Sequence, residues 1–164
     1  MKKQTLYITR GAAIAALYVL LTHLSALFGL DKGVIQFRLS EILTILPIFL
    51  PEAIPGLFIG CITANLTASA LIWDVIFGST ATLIGAIGTR LLRHLPKKII
   101  FLATLPPVLS NAIIVPFILK YAYGVPDLIP YMMLTVGIGE LATAGVLGTL
   151  LYYSLKKSKF PLLK

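Results

Sequence analysis

Charge is scarce in this chain: 12% of its 164 residues are Asp, Glu, Lys or Arg, and only six are acidic. Soluble domains carry about a quarter, so the deficit excludes a soluble fold and leaves short loops at most outside lipid. Cysteine is limited to Cys61, which rules out an internal disulfide. Cys61 sits in an apolar run and reads as a small packing residue. No His, Cys and carboxylate spacing suggests a metal site. His23 reads as an interior hydrogen-bonding group and His94 as part of a basic loop. No Gly-x-x-x-x-Gly-Lys-Ser/Thr stretch occurs, so this chain does not hydrolyse ATP by that route. No internal repeat is visible, which weakens an inverted-repeat secondary transporter.

Apolar residues fill the space that charge leaves. They make up 58% of the chain, and the mean hydropathy is +0.95. Apolar runs long enough for a bilayer core, about 18 to 25 residues each, recur along the whole length. They predict six spans, at residues 8–28, 34–50, 53–72, 75–92, 99–121 and 128–155. Brief connections rich in Gly and Pro join them. The fold class read from this is an all-α membrane protein, a single integral-membrane domain of six transmembrane helices over residues 1–164.

A net charge of +8 raises the question of nucleic acid. No binding motif accompanies the basic clusters, which instead lie between apolar runs. With the N-terminus inside, Lys2, Lys3, Arg10, Arg90, Arg93, Lys97, Lys98, Lys156, Lys157, Lys159 and Lys164 fall at cytoplasmic ends. Lys32, Arg38 and Lys120 fall in the outer half. This asymmetry predicts N-in, C-in topology. The first span follows charged residues, as a secretory signal does. Its small-x-small site around Leu24-Ser25-Ala26 is poorly formed and its apolar run is long, so it is expected to remain the first helix.

The acids carry the functional information. Glu52 is expected at the cytoplasmic side, and Asp31 and Asp127 in solvated loops. Glu41, Asp74 and Glu140 are expected within the outer half or near the middle. Glu140 is about 12 residues into the last span, roughly 18 Å deep, and Glu41 about seven residues into the second, roughly 10 Å deep. Asn65 and Asn111 share this zone. Ionisable groups in lipid cost several kcal/mol unless they face a partner or a wet cavity. Arg38 and Glu41 stand three apart on one helix face, so an internal ion pair would account for those two alone. Glu140, Asp74, Asn65 and Asn111 are left without a basic partner. The sharper reading is a pocket open to the outer face, whose carboxylates and amides meet a ligand rich in N–H donors.

Trp73, Tyr121, Tyr123 and Tyr131 gather near the same end. Most suit an interfacial aromatic belt, and one or two would stack on a planar ring. Pro106-Pro107 and Pro116 flank Asn111 in the fifth span and free carbonyls around it. Small residues at four-residue spacing, such as Gly56, Gly60, Ala64 and Ala68, allow close helix packing. Gly11-xxx-Ala15 and Ala12-xxx-Ala16 on the first span suit internal packing or docking of another membrane subunit equally.

Five segments, "VIQFRLSEILTILP", "AIPGLFIGCITANL", "DVIFGSTATLIGAIGT", "LPPVLSNAIIV" and "GIGELATAGVLG", stand in one order along the chain. Together they resemble the QueT-type queuosine-precursor transporters, the substrate-binding (S) components of energy-coupling factor transporters. The resemblance runs from about Gly11 to Lys157. It implies a six-helix S component of the bacterial cytoplasmic membrane that captures a 7-deazaguanine from outside. It also implies docking on a transmembrane coupling subunit bound to two ATPases, through a face that maps to Ala12 and Ala16. No cofactor is implied. The ligand would be 7-aminomethyl-7-deazaguanine, its nitrile counterpart or queuine. Candidate contacts are Arg38, Glu41, Asn65, Trp73, Asp74, Asn111 and Glu140. Glu140 or Glu41 would take the guanine-type edge, and the other acids an amine. Arg38 would orient Glu41 or touch the ligand carbonyl, and Trp73 would stack. Two other readings stay open: a proton- or cation-coupled carrier for a polar heterocycle, and an intramembrane enzyme using Glu41 and Glu140 as acid and base.

Overall fold

The computed structural model describes residues 3–30, 35–68 and 70–158. Lys2, Asp31, Lys32, Gly33, Val34, Lys159 and Lys164 lie outside the described residues, and with them the loop acid, the start of the second predicted span and part of the charge asymmetry. Among the described residues all regular structure is helical. Six α-helices are formed: α1 (Lys3–Leu27), α2 (Ala53–Thr67), α3 (Ser79–Leu91), α4 (Leu105–Tyr121), α5 (Ile129–Glu140) and α6 (Gly148–Lys157).

Among the described residues, four continuous helical stretches are long and apolar enough to cross a membrane: Lys3–Leu27, Asp74–His94, Lys97–Tyr121 and Ile129–Lys157. The other two predicted spans hold shorter apolar helices among the described residues. The second segment is a ten-residue 3-10 helix, Leu39–Ile48, about 20 Å long at the 3-10 rise. The third is the 15-residue α2, about 22 Å long. Both are shorter than the hydrocarbon thickness of about 30 Å. An apolar run shows that a segment avoids water. It does not show its rise per residue.

Glycines set the spacing of the bundle. A Cβ on Gly56 would meet the Gly11 carbonyl oxygen at 2.7 Å, and one on Gly60 would meet Tyr18 Cβ at 2.8 Å. The α1–α2 seam is therefore built from the Gly11-xxx-Ala15 row against Gly56 and Gly60. Ala12 and Ala16 face away from it and are exposed. Likewise Gly85 and Gly88 of α3 leave room for Pro107 and Pro106. Those prolines open α4 within its first turn, where a missing N–H costs no helical bond. Buried Ile14, Leu43, Leu46 and Leu57 fill the core between α1, the 3-10 helix and α2.

The 3-10 helix is held at both ends. Ser25 of α1 accepts the Leu39 N–H at 2.8 Å, satisfying one donor that a helix N-terminus leaves open. At the other end Arg90 Nη1 donates to the carbonyls of Pro47 at 2.9 Å and Ile48 at 3.1 Å. Nearby, Arg10 pairs with the buried Glu52 at 3.3 Å, tying α1 to the start of α2. A hydrogen bond from a charged donor contributes about 1.5–3 kcal/mol. Arg90→Met is expected to lower the melting temperature in detergent by roughly 4–8 °C, at about 2–4 °C per kcal/mol for a chain of this size. Arg90→Lys is expected to lose about half as much, since the ammonium reaches fewer acceptors. An unchanged melting temperature for Arg90→Met would show that the 3-10 helix end is held by packing alone.

Candidate functional site

Irregular backbone surrounds every candidate acid. Glu41 lies in the first turn of the 3-10 helix, not deep within a regular span. Asp74 opens a wide π-type turn, Asp74–Gly78, and Glu140 is followed by another, Leu141–Leu147. Such turns inside α-helices are frequently associated with functional sites. Residues 36–38 run outside any helix toward the start of the 3-10 helix. They pass directly beside Gly139, where an added Cβ would overlap the Gln36 carbonyl. Gly139 thus lets this segment, with Gln36 and Arg38, lie against the turn that carries Glu140.

Two neighbouring spaces result. A wide chamber of about 400 Å³ is lined by His23, Gln36, Arg38, Asn65, Asp74 and Tyr123, with Thr22 and Ser25 on its α1 wall. A recess of about 30 Å³ is lined by Gln36, Arg38, Asn111, Val115, Val136 and Glu140. Gln36, Arg38 and Val115 border both. Five of the seven candidate contacts (Arg38, Asn65, Asp74, Asn111 and Glu140) therefore line these spaces.

Glu41 does not line them but stands behind. It is 1% exposed, and the Tyr18 hydroxyl donates to its Oε1 at 2.5 Å. Arg38 and Glu41 form no ion pair within 4.0 Å, and the Arg38 guanidinium has no hydrogen bond among the described residues. Besides Arg10 Nε and Ser40 Oγ, three buried polar atoms among the described residues have no partner: Glu41 Oε2, Glu140 Oε2 and Asn111 Nδ2. Their residues are 1%, 9% and 3% exposed. Buried polar groups are nearly always satisfied, so the open acceptor and open donor at the recess, Glu140 Oε2 and Asn111 Nδ2, set it apart from the rest of the interior.

Trp73 does not join this set. It is 51% exposed, stacks on Phe77 with centroids 6.0 Å apart, and lines a separate apolar groove of about 530 Å³ with Phe77, Phe117 and Tyr121. The aromatic in the polar chamber is Tyr123. It donates to Asp74 Oδ2 at 2.7 Å and accepts the Leu71 N–H at 3.3 Å. Partial burial first, and the Asp74 carboxylate second, hold its phenol above the ordinary tyrosine range, so it remains a donor. Asn65 Nδ2 donates to the Asp74 main-chain carbonyl at 3.0 Å. His23 Nε2 meets Thr67 Oγ1 at 2.8 Å across α1 and α2.

The family model described as QueT transporter matches residues 8–157. The chain belongs to the QueT transporter family. This family consists of transporters, not enzymes, and the helices mark its member here as a multi-pass protein of the bacterial cell membrane. A stretch of 85 residues is 40% identical to the protein named queuosine precursor transporter QueT of Lactococcus lactis subsp. cremoris (strain MG1363). That stretch takes in 51% of this chain and 50% of that protein, so the chain spans about half the length of this curated relative. No solved structure is significantly similar to it.

Tyr18 and Gln36 were missed among the site residues. Gln36 had a signal, being a lone amide beside Arg38 in an apolar run. Tyr18 had none, since a tyrosine in a membrane helix looks like any other large apolar residue. Tyr18→Phe keeps the packing and removes the donor to Glu41, leaving a buried carboxylate oxygen open at a cost of about 1–3 kcal/mol. Thermal unfolding in detergent should register this as a fall of several degrees. No change would show that Glu41 is indifferent to Tyr18.

Proposed function

We propose that this protein is the substrate-binding subunit of an energy-coupling factor transporter and takes up a queuosine precursor of the 7-deazaguanine class. The observation that carries this is the recess, where a carboxylate, an amide and a guanidinium converge with unpartnered atoms. A guanine-type edge presents adjacent N–H donors beside a carbonyl. Glu140 takes the donors, while Arg38 and Asn111 donate to the carbonyl. Glu41, held by Tyr18, adds the negative charge that offsets Arg38. Small-molecule sites usually enclose about 300–1,000 Å³, a range that includes the wide chamber. The name of the Lactococcus lactis relative supports the same substrate class.

Both termini lie on the cytoplasmic side and the chamber opens outward. The two shorter helical segments complete six crossings. Ala12 and Ala16, exposed on α1, dock on a transmembrane coupling subunit, and two partner ATPases supply the hydrolysis for which this chain has no motif. No cofactor takes part.

The full-length protein in nanodiscs is expected to bind 7-aminomethyl-7-deazaguanine without ATP. Glu140→Gln exchanges an acceptor for a donor and is expected to weaken binding roughly 10- to 100-fold, the equivalent of one charge-assisted hydrogen bond. Undiminished affinity in Glu140→Gln would overturn the edge assignment. Uptake in cells is expected to require the coupling and ATPase subunits. Uptake by the chain alone, lost when the proton gradient is collapsed with ATP maintained, would support a stand-alone carrier instead.

A further inference from the structure

Asp74 is the one carboxylate among the residues that line the wide chamber. Its Oδ2 accepts from Tyr123. Its Oδ1 has no donor, and no cation lies within 4.0 Å among the described residues. Asn65 bonds the main chain of Asp74 and not its carboxylate, so it fixes the residue without neutralising it. The other titratable or charged groups facing the chamber are His23, Arg38 and Tyr123. Arg38 also borders the recess, alongside Glu140. Once a ligand edge engages Arg38 and Glu140 there, Asp74 is the charge left facing the chamber.

We infer that Asp74 selects the substituent on the ligand's five-membered ring and favours a cationic amine over a neutral nitrile. This rests on the reading of the recess above. A bicyclic base whose donor edge enters the recess directs its opposite ring outward, past Arg38. A protonated aminomethyl group there donates to Oδ1 and balances its charge. A nitrile offers only an acceptor to another acceptor, and its pairing with Oδ1 is unfavourable.

The test measures the affinity of two compounds, 7-aminomethyl-7-deazaguanine and 7-cyano-7-deazaguanine, for the full-length protein in nanodiscs. The wild type is expected to prefer the amine by roughly 10- to 100-fold, the effect of one charge-assisted hydrogen bond. Asp74→Asn is expected to remove most of that preference, by weakening the amine and by strengthening the nitrile, to which the new amide can donate. The wild-type ratio decides independently of how well any variant folds. Equal affinity of the wild type for both compounds overturns this inference and leaves the recess reading intact. So does an amine preference that survives Asp74→Asn. Binding of neither compound to the wild type overturns the recess reading, and this inference with it.

Discussion

A carboxylate withdrawn from water must be met by donors, and in lipid the donors have to come from the protein or from a ligand. Glu41 and Glu140 are both buried, and they answer this demand differently. Glu41 has Tyr18. The Tyr18 hydroxyl lies within reach of it where Ser25 anchors the first residue of the 3-10 helix to α1. Glu140 shares its recess with an unengaged guanidinium and an amide with an open donor. One carboxylate thus has a donor from the fold, while the other keeps an open oxygen.

Much of this was legible in the sequence, for a physical reason. Polar residues are so costly in an apolar chain that each one announces itself. Arg38, Asn65, Asp74, Asn111 and Glu140 stood out by polarity alone, and they line two neighbouring spaces. The all-helical class followed from the apolar runs. Small-residue rows on α1 pointed to close packing, and the structure divides them: Gly11 and Ala15 face α2, while Ala12 and Ala16 face out.

What stayed hidden depends on backbone geometry or on direction. Hydropathy is blind to rise per residue, so ten residues of 3-10 helix looked like part of a full span. Trp73 sits next to Asp74 in sequence, yet adjacent helical residues point different ways, and Trp73 turns to the apolar groove. Tyr18 carried no polar signal until its hydroxyl was seen to reach Glu41. The contact of Gln36 with Gly139 joins residues far apart in the chain, and no local pattern encodes it.

The irregular turns explain how polar groups can converge without exposing backbone to lipid. A regular α-helix satisfies its own amides and projects side chains at fixed angles. Changing those angles means changing the hydrogen-bond register, and a π turn or a 3-10 segment does so while keeping most amides bonded. Glu41, Asp74 and Glu140 each sit in or beside such a segment. Irregularity of this kind is costly, and it persists only where packing enforces it. Here Gly139 lies directly against Gln36 beside the turn that follows Glu140, while Gly85 and Gly88 seat α3 on Pro107 and Pro106 of α4. These contacts are backbone-close and leave little room for adjustment, so the walls of the recess are held in place. A site prepared in this way does not have to order its own side chains on binding, and more of each new hydrogen bond appears as affinity.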